Sequence, residues 1–410
     1  METGINKHVP KTVLMLVFLL PITMGTVGSA ASGIMILLLL LSLVYGWSEW
    51  RLISTEEKVL CIGMIVFFCA AFLSFLNTDD LAKSWTRLER LVRILAFAPL
   101  FLFLRRIKTD LLKPLSFGMI VAGPILLWSA LTTGESGRAS GAYNAILFGD
   151  YAAYVVIFLL TYLVTKNVGW PLKLAALFSL GCAGQATILS ETRGAWIAIP
   201  IAFLVLSSMY LKSQADSRIK WRTVMISLIA LGTIVFIALQ DSRIQARSAL
   251  AISELKSYVD GSNLNTSVGL RLQMWEAAIL IWKKNPFIGS GLGDYSTDLK
   301  NLIESGESKI SSHFGEAHSL FFEFLATTGL LGLGACIFSL FIWPLRLFLQ
   351  KSKNKFCSKD LFLQSSGAVL IISFALMGLS QNWLGRSSIT SVYIVFLAIF
   401  LASSRNGKVR

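Results

Sequence analysis

Long uncharged apolar blocks, such as residues 34–45 and 389–402, run through this chain and restrict what it can fold into. In hydrocarbon every backbone N–H and C=O must find its partner within the protein, which leaves only helices and closed barrels. Barrel strands alternate apolar and polar residues over short stretches, whereas these blocks are continuous and of helical length. The expected fold is an all-α integral membrane protein. Composition agrees, because 55% of the 410 residues are hydrophobic and 15% are charged. Soluble domains carry roughly 25% charged residues, so this chain lacks the polar surface to face water on all sides.

Twelve spans are predicted, at residues 12–28, 32–47, 59–76, 91–104, 112–131, 148–165, 172–189, 194–211, 224–239, 319–348, 363–380 and 388–403. They divide the chain into spans one to nine (1–239), a large outer loop with short helices (240–317), and spans ten to twelve with a tail (318–410). With the amino terminus inside, 22 of the 37 Lys and Arg fall on the inner side and 15 outside, 8 of these in the long loop. Long loops escape the positive-inside rule, so the rest of the pattern places both termini in the cytoplasm. The net charge of +14 has the same origin, and no aromatic-plus-basic motif points to nucleic acid. Cys61, Cys69, Cys182, Cys336 and Cys357 lie in spans or an inner loop, so no disulfide framework is expected. Lys7 and Lys11 precede the first apolar run, which reads as an uncleaved first helix. No internal repeat of the kind that builds transporters is visible.

Several outer segments carry polar chemistry. Residues 78–93 place Leu81, Trp85, Leu88 and Leu91 at helical spacing among Lys83, Arg87, Arg90 and Arg93, the pattern of an amphipathic helix in the headgroup layer. Its cations serve as a surface anchor or meet an anionic lipid substrate. In the long loop, residues 242–258 and 268–282 have helical periodicity, and residues 285–295 then break it. The glycines of that break suit turns; no strand precedes them to support a nucleotide site. His313 and His318 stand where the loop returns to the membrane, where an imidazole can serve as general base near neutral pH. Their spacing around Glu316 does not match a zinc helix, and no metal is expected. Arg193, between spans seven and eight with Glu191 as a possible partner, shares the outer side with Arg138, Arg271 and Arg386. Guanidinium forks bind phosphate by paired hydrogen bonds, so these residues are candidates to converge on an anion.

Arg-Gly-Ala-Trp at 193–196, Asn-Pro-Phe-x-Gly-x-Gly-x-Gly at 285–293 and His-Ser at 318–319, in this order and on one side of twelve spans, resemble the bacterial O-antigen ligase and polymerase family. The resemblance implies a glycosyltransferase that moves O-antigen from undecaprenyl diphosphate onto the lipid A core, at the periplasmic face of the inner membrane, without metal, nucleotide or other cofactor. His318 is similar to the family's essential histidine, Arg193 to its span-eight arginine, and Arg271 to the arginine before the Asn-Pro-Phe segment. Arg138, His313 and Arg386 are further substrate-binding candidates. On this reading His318 deprotonates the acceptor hydroxyl while Arg193 and Arg271 hold the diphosphate, and the sugar inverts at its anomeric carbon. An O-antigen polymerase or a protein oligosaccharyltransferase would share the scaffold. A transporter of an anionic lipid is the non-enzyme alternative, though transporters place ionisable residues nearer the membrane midplane.

Overall fold

The computed structural model describes residues 8–45, 50–135, 137–214, 240–308, 310, 312–350 and 358–404, with residues 218, 221, 222, 224, 225 and 232. The regular elements among these residues are helices, apart from a two-stranded hairpin pairing Gly134 with Ala139 and Glu135 with Arg138. Among them, seven helical stretches are long and apolar enough to cross a membrane, and three shorter apolar helices accompany them. The short ones are α1 (His8–Thr23), α2 (Ala30–Tyr45) and, at the far end of the chain, Ser387–Ser403.

After α2 come α3 (Thr55–Leu73), begun by a capping box between Ser54 and Glu57, and the amphipathic α4 (Leu81–Leu91). The expected span 91–104 is instead a 3₁₀ turn, Val92–Ala96, followed by α5 (Phe97–Arg106). Ten helical residues reach about 15 Å, half the hydrocarbon thickness. The short reach is tolerable because α5 is enclosed by protein, with Phe97 and Leu100 to Leu104 all buried. Next come α6 (Leu112–Thr132), α7 (Ala145–Thr165), α8 (Trp170–Leu189) and α9 (Arg193–Ser213). The expected span 224–239 lies outside the described residues, except for Val224, Met225 and Gly232.

The loop expected between residues 240 and 317 folds into α10 (Ser242–Val259), α11 (Ser267–Lys284) and α12 (Tyr295–Glu304). α10 starts where Asp241 accepts the amides of Arg243 and Ile244, and α11 where Thr266 accepts that of Gly269. The final helices are α13 (Leu320–Cys336), α14 (Trp343–Leu349), α15 (Ser358–Ser380) and α16 (Ser387–Ser403).

Burial sorts the helices into a centre and a rim. α16 is buried at every residue from Ser388 to Ala402, and α7 is nearly as enclosed; α15 packs against both α7 and α9. The rim helices expose large apolar side chains, among them Leu37 and Leu40 on α2, Ile62 and Ile65 on α3, and Leu174 and Phe178 on α8. In water such a belt would drive association; in a bilayer it is the required outer surface. Small residues let the helices approach closely, as membrane bundles do. A Cβ at Gly123 on α6 would lie 2.2 Å from the backbone oxygen of Ser179 on α8.

α13 is broken. Gly329 takes φ +62°, and the glycine-rich loop enters the gap. Ser290 and Gly291 donate their amides to the carbonyls of Ala326 and Thr327, while Leu330 and Leu331 donate to Pro286 and Phe287. Irregular backbone survives in a membrane protein where protein satisfies it, and here the loop does so. The break fixes the first half of α13, and with it the residues just before Leu320.

Candidate functional site

The two ends of the bundle differ in chemistry. One end is tied by a buried ion pair of Arg105 with Glu57, 2.9 Å apart, and by Trp343 donating to the carbonyl of Glu56. The other gathers the loops after α3, α6, α8 and α15 beneath α10, α11 and α12. Thr78 and the amides of Asp79 and Asp80 bind the Asp294 carboxylate, and Asn77 donates to Gly289. The loop helices are thus docked on the bundle through partly buried hydrogen bonds.

Arg193 opens α9, whose first turn has no side-chain cap. A cation at a helix N-terminus opposes the helix dipole and needs an acid. Glu191, the expected partner, pairs with Arg247 of α10 at 2.6 Å. Arg193 instead meets Glu254, also of α10, at 3.5 Å. The exchange follows from α10 lying across the loop between α8 and α9, and it ties that loop down twice. Glu191 takes φ +52°, a conformation that costs non-glycine residues energy. Its carbonyl and that of Ser190 accept from Arg138, at 3.4 and 3.1 Å. Arg138 therefore joins the group that the sequence suggested.

Arg271, on α11, sits half-buried with no acid paired to it among the described residues. Burial, then the charge of Arg193, holds its guanidinium below the usual value, with Glu254 opposing. It stays charged at neutral pH. Arg271 lies close enough to His318 to act on it: burial pushes the imidazole below its ordinary range, Glu316 pulls it back, and Arg271 and Arg386 press it down again. His318 is consequently neutral at pH 7, with a lone pair free to accept a proton.

His318 takes φ +48°. The segment before it is held by Trp275 donating to the Ala317 carbonyl at 3.1 Å and by the Ala317 amide donating to Glu323 at 2.7 Å. Its Nδ1 is buried without a hydrogen-bond partner among the described residues, 3.9 Å from Glu316. The side chain remains one-third exposed, so the open part of the ring is the Nε2 side. Glu316 is itself gripped by Arg386 at 3.0 Å and Arg87 at 3.3 Å. Arg87 also donates to the Gly315 carbonyl, and Arg90 donates to that of Gly385 at 2.8 Å.

The geometry therefore brings His318, Arg271, Arg193, Arg138 and Arg386 to one end of the bundle through a continuous set of charged neighbours. His313 is exposed on the loop and takes no part in these ion pairs. Arg87 and Arg90, expected at the headgroups, turn inward to Glu316 and Gly385, while Leu81 and Trp85 of the same helix remain exposed. Glu254, Arg247 and Glu316 were not singled out as ion-pair partners from sequence, since which acid meets which arginine depends on contacts across hundreds of residues. Asp150, inside α7, was likewise missed; it is enclosed, and neither carboxylate oxygen has a partner among the described residues.

Residues 174–337 match the family model described as O-antigen ligase, a stretch running from α8 through the long loop into α13. Over this part of the chain, about two-fifths of its length, the sequence is similar to that family. An uncharacterised protein of Haemophilus influenzae is 23% identical over 406 residues, covering 97% of this chain and 99% of its own length. The matched stretch contains Arg193, Arg271 and His318.

Proposed function

We propose that this chain is the ligase that transfers O-antigen from undecaprenyl diphosphate to a hydroxyl of the lipid A core. The reaction takes place at the periplasmic face of the bacterial inner membrane, with both termini of the protein in the cytoplasm. The observation that carries this reading is the half-buried Arg271, which forms no ion pair among the described residues and lies within electrostatic reach of both Arg193 and His318. A half-buried cation that shares its nearest acid, Glu254, with Arg193 is ready to receive an anion, and a diphosphate offers two adjacent phosphates to two guanidiniums.

In the proposed reaction the Nδ1 proton of His318 faces Glu316 and Nε2 takes the proton of the acceptor hydroxyl. The acceptor oxygen attacks the anomeric carbon as the bond to the diphosphate oxygen breaks. The electron pair leaves on that oxygen, where Arg271 and Arg193 stabilise it. Attack opposite the leaving group inverts the anomeric centre. The diphosphate is already a good leaving group, so neither metal nor nucleotide is required. Positioned bases contribute about 10²–10⁴-fold, and preorganised cations at the leaving oxygen contribute a comparable amount.

Lipopolysaccharide from cells lacking the protein tests the reading. Loss of a ligase leaves bare lipid A core while polymer accumulates on its carrier. A core capped by a single unit would instead identify a polymerase, and unchanged lipopolysaccharide would exclude both. Transfer by the purified protein in the presence of EDTA tests the metal-free chemistry.

A further inference from the structure

His318 stands between two groups of cations. On the side of α9 to α11, Arg138, Arg193, Arg247 and Arg271 face the acids Glu191 and Glu254. On the side of α4, Arg87 and Arg386 pair with Glu316 and Arg90 lies in the same field, with Glu89 beside Arg90 and the buried Glu323 near Arg87. Among the described residues each side has more guanidiniums than carboxylates in direct ion pairs with them. On the proposed reading the donor's diphosphate occupies the first and leaves the second without a substrate anion.

The second group is built, not scattered. α4 is fixed by Asp80 at its N-cap and by buried Ser84, Leu88 and Leu91. Arg90 is anchored on the Gly385 carbonyl, and burial together with the charges of Arg87 and Arg386 weakens its hold on its proton. The Nε–H of Arg386 is buried and without a partner among the described residues. Arg87, Arg90 and Arg386 press on one another while one carboxylate, Glu316, pairs directly with two of them, a repulsion that a further anion would relieve.

We propose that this α4 lobe binds an anionic substituent of the acceptor, a phosphate monoester or a sugar carboxylate near the accepting hydroxyl. The base then lies between the donor's diphosphate and the acceptor's anion, each held by its own arginines. This inference rests on the assignment of His318 and Arg271 made above, and it adds a recognition requirement that the donor chemistry does not impose.

Equilibrium binding of the core glycolipid to the full-length protein, in discs of phosphatidylcholine alone, tests it without requiring turnover and removes anionic headgroups as the source of the charge. The glycolipid is used intact, phosphatase-treated and carboxyl-reduced. Wild type should bind the intact form about 10- to 100-fold more tightly than one of the treated forms, the size of a charged hydrogen bond. Which treatment weakens binding names the anion. Arg90→Gln should lose the discrimination, Arg90→Lys should keep part of it, and Arg93→Gln should keep all of it. Equal binding of all three glycolipids by wild type, or undiminished discrimination by Arg90→Gln, overturns the proposal. Wild type that discriminates yet transfers nothing would refute the ligase reading and leave the lobe intact.

Discussion

Replacing Gly289 with alanine probes how the glycine-rich loop supports the site. Gly289 takes φ +73°, and a Cβ there would lie 2.3 Å from the carbonyl carbon of Thr327 and 2.4 Å from the amide nitrogen of Thr328. The left-handed conformation alone costs an alanine about 1–2 kcal/mol. The clash is with helix backbone, which cannot rotate aside, so the loop must lift out of the break in α13. Lifting removes the bonds from Ser290 to Ala326 and from Gly291 to Thr327, worth about 1 kcal/mol each, and leaves buried carbonyls unpaired. The expected loss is about 4 kcal/mol or more. Gly306 provides the control, since it takes φ +74° with nothing within 4 Å of its virtual Cβ; Gly306→Ala should cost only about 1–2 kcal/mol. Thermal melting followed by tryptophan fluorescence in detergent should place Gly289→Ala well below Gly306→Ala. Transfer should fail in the first and persist in the second. Equal melting of the two variants would refute the argument that loop insertion holds α13 and the residues before it.

Three further outcomes follow from the same geometry. Arg271→Lys keeps the charge but loses the planar fork, so kcat/KM for the lipid-diphosphate donor should fall at least about tenfold; wild-type kinetics would contradict the role. The base must be neutral to act, and burial lowers the His318 imidazole below its usual value, so activity should rise with pH along an acid limb whose midpoint lies below about pH 6.5. Arg271→Gln removes one opposing charge and should move the acid limb of the residual activity upward; a limb that stays put would contradict the coupling. Asp298, raised to about 6 by burial, binds protons in the folded chain that the unfolded chain has released, so stability should fall as pH rises from about 4 to 6. Asp298→Asn should flatten that decline, as read from melting temperature against pH.

The sequence disclosed residue types and sidedness more readily than partnerships. His318, Arg271, Arg193, Arg138 and Arg386 were visible because a charge beside hydrocarbon needs a reason, and the run of spans put all of them at one face. α10 and α11 were legible from their apolar spacing. Arg193 was matched with its neighbour Glu191, whereas the folded chain gives it Glu254 from α10; nothing local in sequence announces that α10 crosses this loop. Arg87 and Arg90 looked like headgroup anchors because periodicity defines an apolar face and says little about what meets the polar one. The shortened α5 was hidden for a related reason. Its residues are as apolar as those of a span, and only the helices packed around it show why it need not cross alone.

Single-turnover transfer by purified full-length protein, from labelled undecaprenyl-diphosphate glycan to the core glycolipid, bears most directly on the claim that an imidazole base works beside an arginine-held diphosphate. His318→Ala should bind the donor as wild type does and transfer at least about 10²-fold more slowly, whereas Arg271→Gln should lose donor affinity. A folded His318→Ala protein that transfers at the wild-type rate would contradict the account.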